Sequence, residues 1–281
     1  MKLTIEAKLL LPLTFIVVCS CAKSNITAPA ALPIPEDLKA QVHLAEELGV
    51  TLYFLDKAST IGTDALRQNV ASIEKLGLSG YLTFREADDS GQPANSWRVF
   101  FLKGEVNPVV VYTVRVPLKL GATYSFEEHN PPVPANEGLR TFFTARQTAI
   151  KALTPVVQPI NPVILPGVVI GDDGILVYLL AGDTRKGVAV LGKHYRVLVS
   201  RDGTAVKKFE PLSKSIIEIP FSSEGKTIAG LVVSHIVTDW PLETHVFASL
   251  LYKLPVYVAT QRGNWKVDKG RISLVEGPPQ K

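Results

Sequence analysis

Short apolar segments separated by turn residues recur along most of the chain, and this pattern constrains the fold more than any other feature. The segments 80–86 and 96–104 flank the turn-rich ADDSGQPAN, so together they predict a β-hairpin, and 107–117 supplies a third strand. Further β-branched and aromatic segments predict strands at 175–181, 194–200, 205–211, 216–220, 227–237 and 254–260 and in the terminal WKV and RISLV pieces. Because hairpins dominate, the sequence predicts an α+β fold with mainly antiparallel sheet and a few flanking helices.

Helical spacing of apolar residues recurs in other segments. The predicted helices are 36–49, closed by Gly49; 63–75, capped by Thr63 and Asp64; 137–153; and 241–253, which begins with a proline. The segment 50–55 predicts a short strand, and the proline-rich 127–137 predicts a loop. Further prolines punctuate 155–166, so we expect an N-terminal α+β half over 36–154 and a C-terminal strand-rich half over 155–281, as two domains or as parts of one.

The two cysteines of the chain, Cys19 and Cys21, both lie at the end of an N-terminal apolar run. This run, LLLPLTFIVV (9–18), follows Lys2 and Lys8 and is much shorter than the roughly 20 apolar residues that span a membrane, so it predicts the hydrophobic region of a signal peptide. The next residues complete VCSC (18–21), which resembles the lipobox of bacterial lipoproteins. The resemblance implies that residues 1–20 are removed and that Cys21 carries the lipid. The alternatives are an ordinary signal peptide cut elsewhere and an uncleaved anchor.

A lipoprotein of this kind would be held on the membrane by residues 21–35, whose small, polar and proline-containing sequence predicts an extended tether. Ala22 follows the cysteine, and in Gram-negative lipoproteins an aspartate there favours retention in the inner membrane. The resemblance therefore implies attachment to the outer membrane, facing the periplasm, rather than to the inner membrane. The remaining chain would contain no thiol, which excludes a disulfide, thiolate catalysis and a cysteine-based metal site.

Charge argues against a nucleic-acid partner. The formal net charge is +4 over 281 residues, and the basic residues are spread along the chain rather than concentrated in a stripe. The three tryptophans, Trp97, Trp240 and Trp265, suggest either a stacking surface for sugars or apolar ligands, or ordinary core residues.

Motifs of catalysis and phosphate binding are scarce. G-x-S-x-G does not occur, and GVVIGDDG (167–174) has two aspartates where an anion would sit and no Walker lysine after it. One dense constellation does occur in SHIVTDWPLETH (234–245), which contains His235, Asp239, Glu243 and His245. Imidazoles and carboxylates suit zinc or iron, although this spacing matches no known zinc motif.

Two functions are therefore open. The first is a lipid-anchored envelope protein that binds or scaffolds, with an envelope protein or a glycan as its partner, no cofactor and no enzymatic activity. The second is a metal-dependent hydrolase that uses His235, Asp239, Glu243 and His245, with Glu243 as general base or ligand.

Overall fold

The computed structural model describes residues 30–277, apart from 89, 118–121, 157–158, 183–184, 186, 221 and 224–225. The predicted signal peptide and the lipidation site Cys21 lie outside the described residues. Within the described part, no helix is long and apolar enough to cross a membrane.

Strands and helices follow one another in an α+β arrangement, as the sequence predicted. The helices are α1 (Lys39–Asn69), α2 (Glu137–Ala152) and α3 (Glu243–Tyr252), with short 3-10 turns at Glu36–Leu38, Glu74–Leu76 and Gly167–Ile170. The strands are β1 (Ala31–Leu32), β2 (Gly80–Ala87), β3 (Pro93–Lys103), β4 (Val109–Pro117), β5 (Ser125–Pro134), β6 (Ile160–Pro166), β7 (Ile175–Ala181), β8 (Val188–Gly192), β9 (Tyr195–Val199), β10 (Val206–Pro211), β11 (Ile216–Pro220), β12 (Ser222–Ser223), β13 (Lys226–Thr227), β14 (Leu231–Ser234), β15 (Val256–Thr260), β16 (Gly263–Asp268) and β17 (Arg271–Val275).

Helix α1 corrects the prediction of two helices separated by a strand, because residues 39–69 form one helix. Leu48, Leu52 and Leu55 are buried at helical spacing, so packing overrides the strand preference of 50–55. Gly49 does not end the helix; it lets α3 approach, since a Cβ there would lie 2.4 Å from Val246 Cβ. The segment 63–69 continues the same helix, and Asp64 pairs with Arg67 rather than capping a new one.

The first sheet is the antiparallel meander β2-β3-β4-β5, with α1 against one face and α2 against the other. The predicted hairpin and third strand are confirmed. The predicted loop at 127–137 is wrong, because most of it forms β5, which pairs only with β4 among the described residues. Proline is tolerated on such an edge strand, since its missing N–H is not needed on the open side.

The second sheet, β10-β9-β7-β6, is also antiparallel. The predicted turn at 201–203 joins β9 to β10, with Gly203 at φ +79°. Part of the proline-rich segment 155–166 forms the edge strand β6, paired with β7. One cluster of buried side chains contains Leu52 and Val114 together with Leu176 and Phe247, so residues from both predicted halves share a core.

The third sheet has the order β1-β17-β16-β15-β14. Buried residues of α3 pack against it. Its pairs are antiparallel except β14 with β15, which are parallel. The predicted strand 227–237 is shorter in the structure, at 231–234, and the β8 strand, which pairs with β11, was not predicted. All three buried clusters lie between Ile34 and Leu274. The whole described core therefore follows the predicted signal peptide (1–20) in the sequence.

Candidate functional site

Two of the four predicted metal ligands come together where β14 leads into α3. His235 follows the last residue of β14, and His245 lies in the first turn of α3. Their rings pack edge to face, with centroids 4.8 Å apart. Both side chains are buried.

Glu243 belongs to a different environment. Its Oε1 accepts a hydrogen bond from the Tyr178 hydroxyl at 2.8 Å and from Nη1 of Arg196 at 2.9 Å. Residues two apart on a helix point in directions about 200° apart, so Glu243 and His245 face opposite sides of α3. Glu243 therefore holds α3 against the second sheet, on β7 and β9.

Asp239 is half-buried in the turn before α3 and contributes its backbone carbonyl to Thr260 Oγ1 at 3.1 Å. In the part of the chain that the structure describes, no three His, Cys, Asp or Glu side chains are grouped so that they could hold a metal ion. The four predicted ligands are thus divided between a histidine pair, a buried ion pair and a turn.

The sequence missed a third histidine that belongs with the pair. His194 lies between β8 and β9 and is buried. Together with His235 and His245 it lines a cavity of about 180 Å³. The other lining residues are Leu191, Gly192, Leu212, Ser213, Lys214, Ser215, Ile217, Val233, Ser234, Ile236, Val237 and Thr244. Sequence reasoning assigned His194 only to a strand, because nothing local relates it to residues about 40 positions later.

Backbone hydrogen bonds fix the tautomers of two of these histidines. Nδ1 of His194 accepts the Ala181 N–H at 3.0 Å, and Nδ1 of His245 accepts the Leu242 N–H at 3.0 Å. A ring nitrogen that accepts a hydrogen bond carries no proton, so in a neutral imidazole the proton is on Nε2. Each ring can therefore offer an N–H donor to a ligand in the cavity.

Burial keeps all three rings neutral. It lowers the pKa of His194 to about 4, that of His235 to about 4 and that of His245 to about 3, with the neighbouring histidines adding to the effect on His245. The neutral, Nε2-protonated rings of His194 and His245 are hydrogen-bond donors toward the cavity and have no lone pair there for a metal ion. His235 is held by Thr238, whose Oγ1 lies 2.9 Å from its Nε2.

Lysine is the only charged residue type that lines the cavity in the described part of the chain. An open groove of about 460 Å³ continues from the cavity along Ser213, Lys214 and Val237, and is also lined by Lys193, Tyr195 and Pro211. Asp and Glu are missing from the described lining of both. The cleft thus combines apolar walls, imidazole N–H donors and a cationic rim, which suits a ligand with an anionic hydrogen-bond acceptor.

The three tryptophans lie in two kinds of environment. Trp97 and Trp265 are buried, and Trp97 stacks on Phe54 with centroids 5.6 Å apart, so the core interpretation is confirmed for both. Trp240 is half-buried and packs against the core beneath the third sheet.

No protein-family model, curated protein or solved structure matches this chain.

Proposed function

We propose that this chain is a lipid-anchored binding protein of the bacterial envelope, whose folded part holds a carboxylate-bearing ligand in the cleft of His194, His235 and His245. The observation that carries the proposal is the pair of Nδ1 acceptors described above. Because backbone N–H groups hold both Nδ1 atoms, two neutral rings offer Nε2–H donors to the same cavity. Carboxylate oxygens are natural acceptors for such donors, and Lys214 at the rim adds attraction for the negative charge.

The metal-dependent hydrolase stays a prediction with less support. Glu243, its candidate base, is engaged by Arg196 and Tyr178, and it does not line the cavity among the described residues. The lysines and N–H donors around the cavity favour an anion rather than a cation.

The ligand test uses the chain from residue 22 with ¹⁵N-labelled histidine. Long-range ¹H–¹⁵N correlation spectra report which ring nitrogen is protonated, and N-acetylvaline is the carboxylate probe. We expect shifts of the His194 and His245 ring signals with a millimolar dissociation constant, as suits so small a ligand. N-acetylvalinamide, which lacks the charge, is the control. Equal responses to both probes, or none up to about 10 mM, would contradict the carboxylate site.

A pair of variants separates the two nitrogens of His245. The amide oxygen of asparagine can occupy the place of Nδ1, so His245→Asn keeps the acceptor for the Leu242 N–H and removes the Nε2–H donor. His245→Gln places its amide near Nε2 instead and gives up the Nδ1 acceptor. We expect His245→Asn to fold normally and bind N-acetylvaline about tenfold more weakly. Unchanged affinity in His245→Asn would remove His245 from the site.

Lipid attachment is tested on the full chain expressed in bacteria with labelled palmitate. The proposal expects label in the wild type and in Cys19→Ser, and none in Cys21→Ser. Label in Cys21→Ser, together with membrane partitioning, would overturn the anchor.

A further inference from the structure

In the part of the chain that the structure describes, β14 is an edge strand beside the cleft. Among the described residues β14 pairs only with β15, toward which Leu231 donates its N–H to Pro255 O and His235 donates to Ala259 O, both at 2.8 Å. Successive backbone groups of a strand point to opposite sides. The N–H and C=O groups of Val232 and Ser234 therefore point away from β15.

Among the described residues, this edge lacks the prolines and charged side chains that protect other edge strands of the fold. The edge strand β5 contains three prolines, β6 contains two, and β10 contains two lysines and a glutamate. The residues on the open side of β14 and just after it are Val232, Ser234 and Ile236, which are uncharged. Val232 is 64% exposed and Ile236 is 60% exposed. An edge that has no proline or charge and carries exposed apolar side chains is suited to pairing with another strand.

The open edge and the histidine cleft are continuous. Ser234, Ile236 and Val237 line the same cavity as His194 and His245. An extended chain paired with β14 would thus run directly past the imidazole donors and the rim lysine Lys214.

We propose that β14 binds an extended peptide by strand addition, and that a carboxylate of this peptide enters the histidine cleft. The inference rests on the proposed function and names its ligand class. Backbone pairing along Val232 and Ser234 supplies affinity, while the cleft supplies selectivity for the negative charge. Charge complementarity identifies the occupant as a peptide with an acidic group, because the charged residue of the described cavity lining is Lys214.

The test screens the chain from residue 22 against random peptides of about eight residues, enough to cover the edge and the cleft. One arm carries free C-terminal carboxylates, and the other carries amidated ends with internal Asp or Glu. We expect enrichment in at least one arm, and the arm identifies the source of the carboxylate. Equal binding of an enriched peptide after its carboxylate is replaced by the matching amide would contradict the proposal.

The backbone step is tested on the enriched peptides with two variants of one residue. Ser234→Pro removes an N–H that points away from β15, and proline is tolerated on an open edge. Ser234→Ala keeps the N–H and removes only the hydroxyl. We expect binding to be about tenfold weaker in Ser234→Pro than in Ser234→Ala, which measures the contribution of the hydroxyl alone. Circular dichroism and the thermal midpoint confirm that both fold.

A charge pair gives a second readout that leaves the backbone intact. Ile236→Glu should weaken binding by repelling the peptide carboxylate, and Ile236→Lys should not. Equal binding to wild type, Ser234→Pro and Ile236→Glu would overturn the proposal. The free chain could instead dimerise through this edge, which sedimentation would detect and Ser234→Pro would abolish. That result would overturn the peptide proposal, because the occupant would be a second copy of the chain. If N-acetylvaline still shifts the histidine signals when no peptide binds, only the strand-addition inference fails.

Discussion

Glu243 Oε1 lies 2.9 Å from Nη1 of Arg196, with Glu243 only 2% exposed. Tyr178 donates to the same carboxylate oxygen, and burial followed by the nearby charge of Glu243 raises the pKa of Tyr178 above its ordinary value. Arg196 also reaches Glu210 at 3.0 Å, nearer the surface. The direct pairing of Tyr178 with Arg196 and of Arg196 with Glu210 across β7, β9 and β10 places these side chains on one face, where Glu243 of α3 contacts Tyr178 and Arg196.

Breaking this buried pair should destabilise the fold. Because Glu243→Leu leaves a half-buried guanidinium and a buried phenol without their acceptor, we expect a loss of about 3 kcal/mol in the free energy of unfolding. Urea denaturation at pH 7 measures it. Glu210→Gln is the matched control at the outer end of the network, where the loss should stay below about 1 kcal/mol. Similar losses in the free energy of unfolding of Glu243→Leu and Glu210→Gln would contradict a larger contribution from the buried pair.

Acid should weaken the fold through His194. Its pKa is lowered to about 4 by burial, whereas an unfolded histidine titrates near about 6.5, so the unfolded chain binds more protons between these values. Stability is therefore fully present above about pH 6.5 and falls as the pH drops toward 4. Between pH 7 and 5 His194 should contribute a loss of about 2 kcal/mol. His194→Asn, which keeps an acceptor for the Ala181 N–H, should reduce this loss; an unchanged slope would contradict the burial argument.

Asp56 should make the stability of the fold depend on pH in the direction opposite to that of His194. Burial raises its pKa to about 6, while a hydrogen bond from Asn161 opposes the shift. An unfolded aspartate titrates near about 3.9, so the folded chain binds the extra proton between pH 4 and 6 and stability falls as the pH rises through this range. We expect Asp56→Asn to be more stable than wild type at pH 7 by at most about 3 kcal/mol, and by much less at pH 4. Denaturation curves at both pH values measure the difference, and a constant difference would contradict the raised pKa.

Gly49→Ala tests the close approach of α1 and α3. The new Cβ would lie 2.4 Å from Val246 Cβ and 2.7 Å from the backbone oxygen of Glu243, so the helices would have to separate. Despite the better helix propensity of alanine, we expect a loss of about 1–3 kcal/mol. Gly138→Ala in α2 is the control, because its nearest neighbour would be 3.6 Å away. If Gly49→Ala and Gly138→Ala had the same free energy of unfolding, the α1–α3 contact at Gly49 would not be tight.

Metal content separates the two functional hypotheses. Because Nδ1 of His194 and of His245 is held by backbone N–H groups, we expect the chain from residue 22, purified without chelator, to contain less than about 0.1 equivalents of zinc or iron. Elemental mass spectrometry measures it. About one equivalent, lost in both His235→Ala and His245→Ala, would instead support the hydrolase.

Local pattern was sufficient for much of the sheet structure. The strands at 175–181 and 216–220 begin and end where the apolar pattern predicted, and α2 differs from its prediction by one residue. These segments are bounded by turn residues, and their composition agrees with their packing. The same sequence analysis predicted the α+β class.

Tertiary packing decided the rest. Residues 50–55 are helical because their leucines face a core built from distant strands, and the proline-rich β5 is a strand because it lies at an edge. The sequence placed His235, Asp239, Glu243 and His245 together, but the helical phase turns Glu243 away and the fold brings His194 in from a distant turn. Neighbours in sequence need not share a surface, and β14 is an edge strand among the described residues only because the fold places it at the end of a sheet.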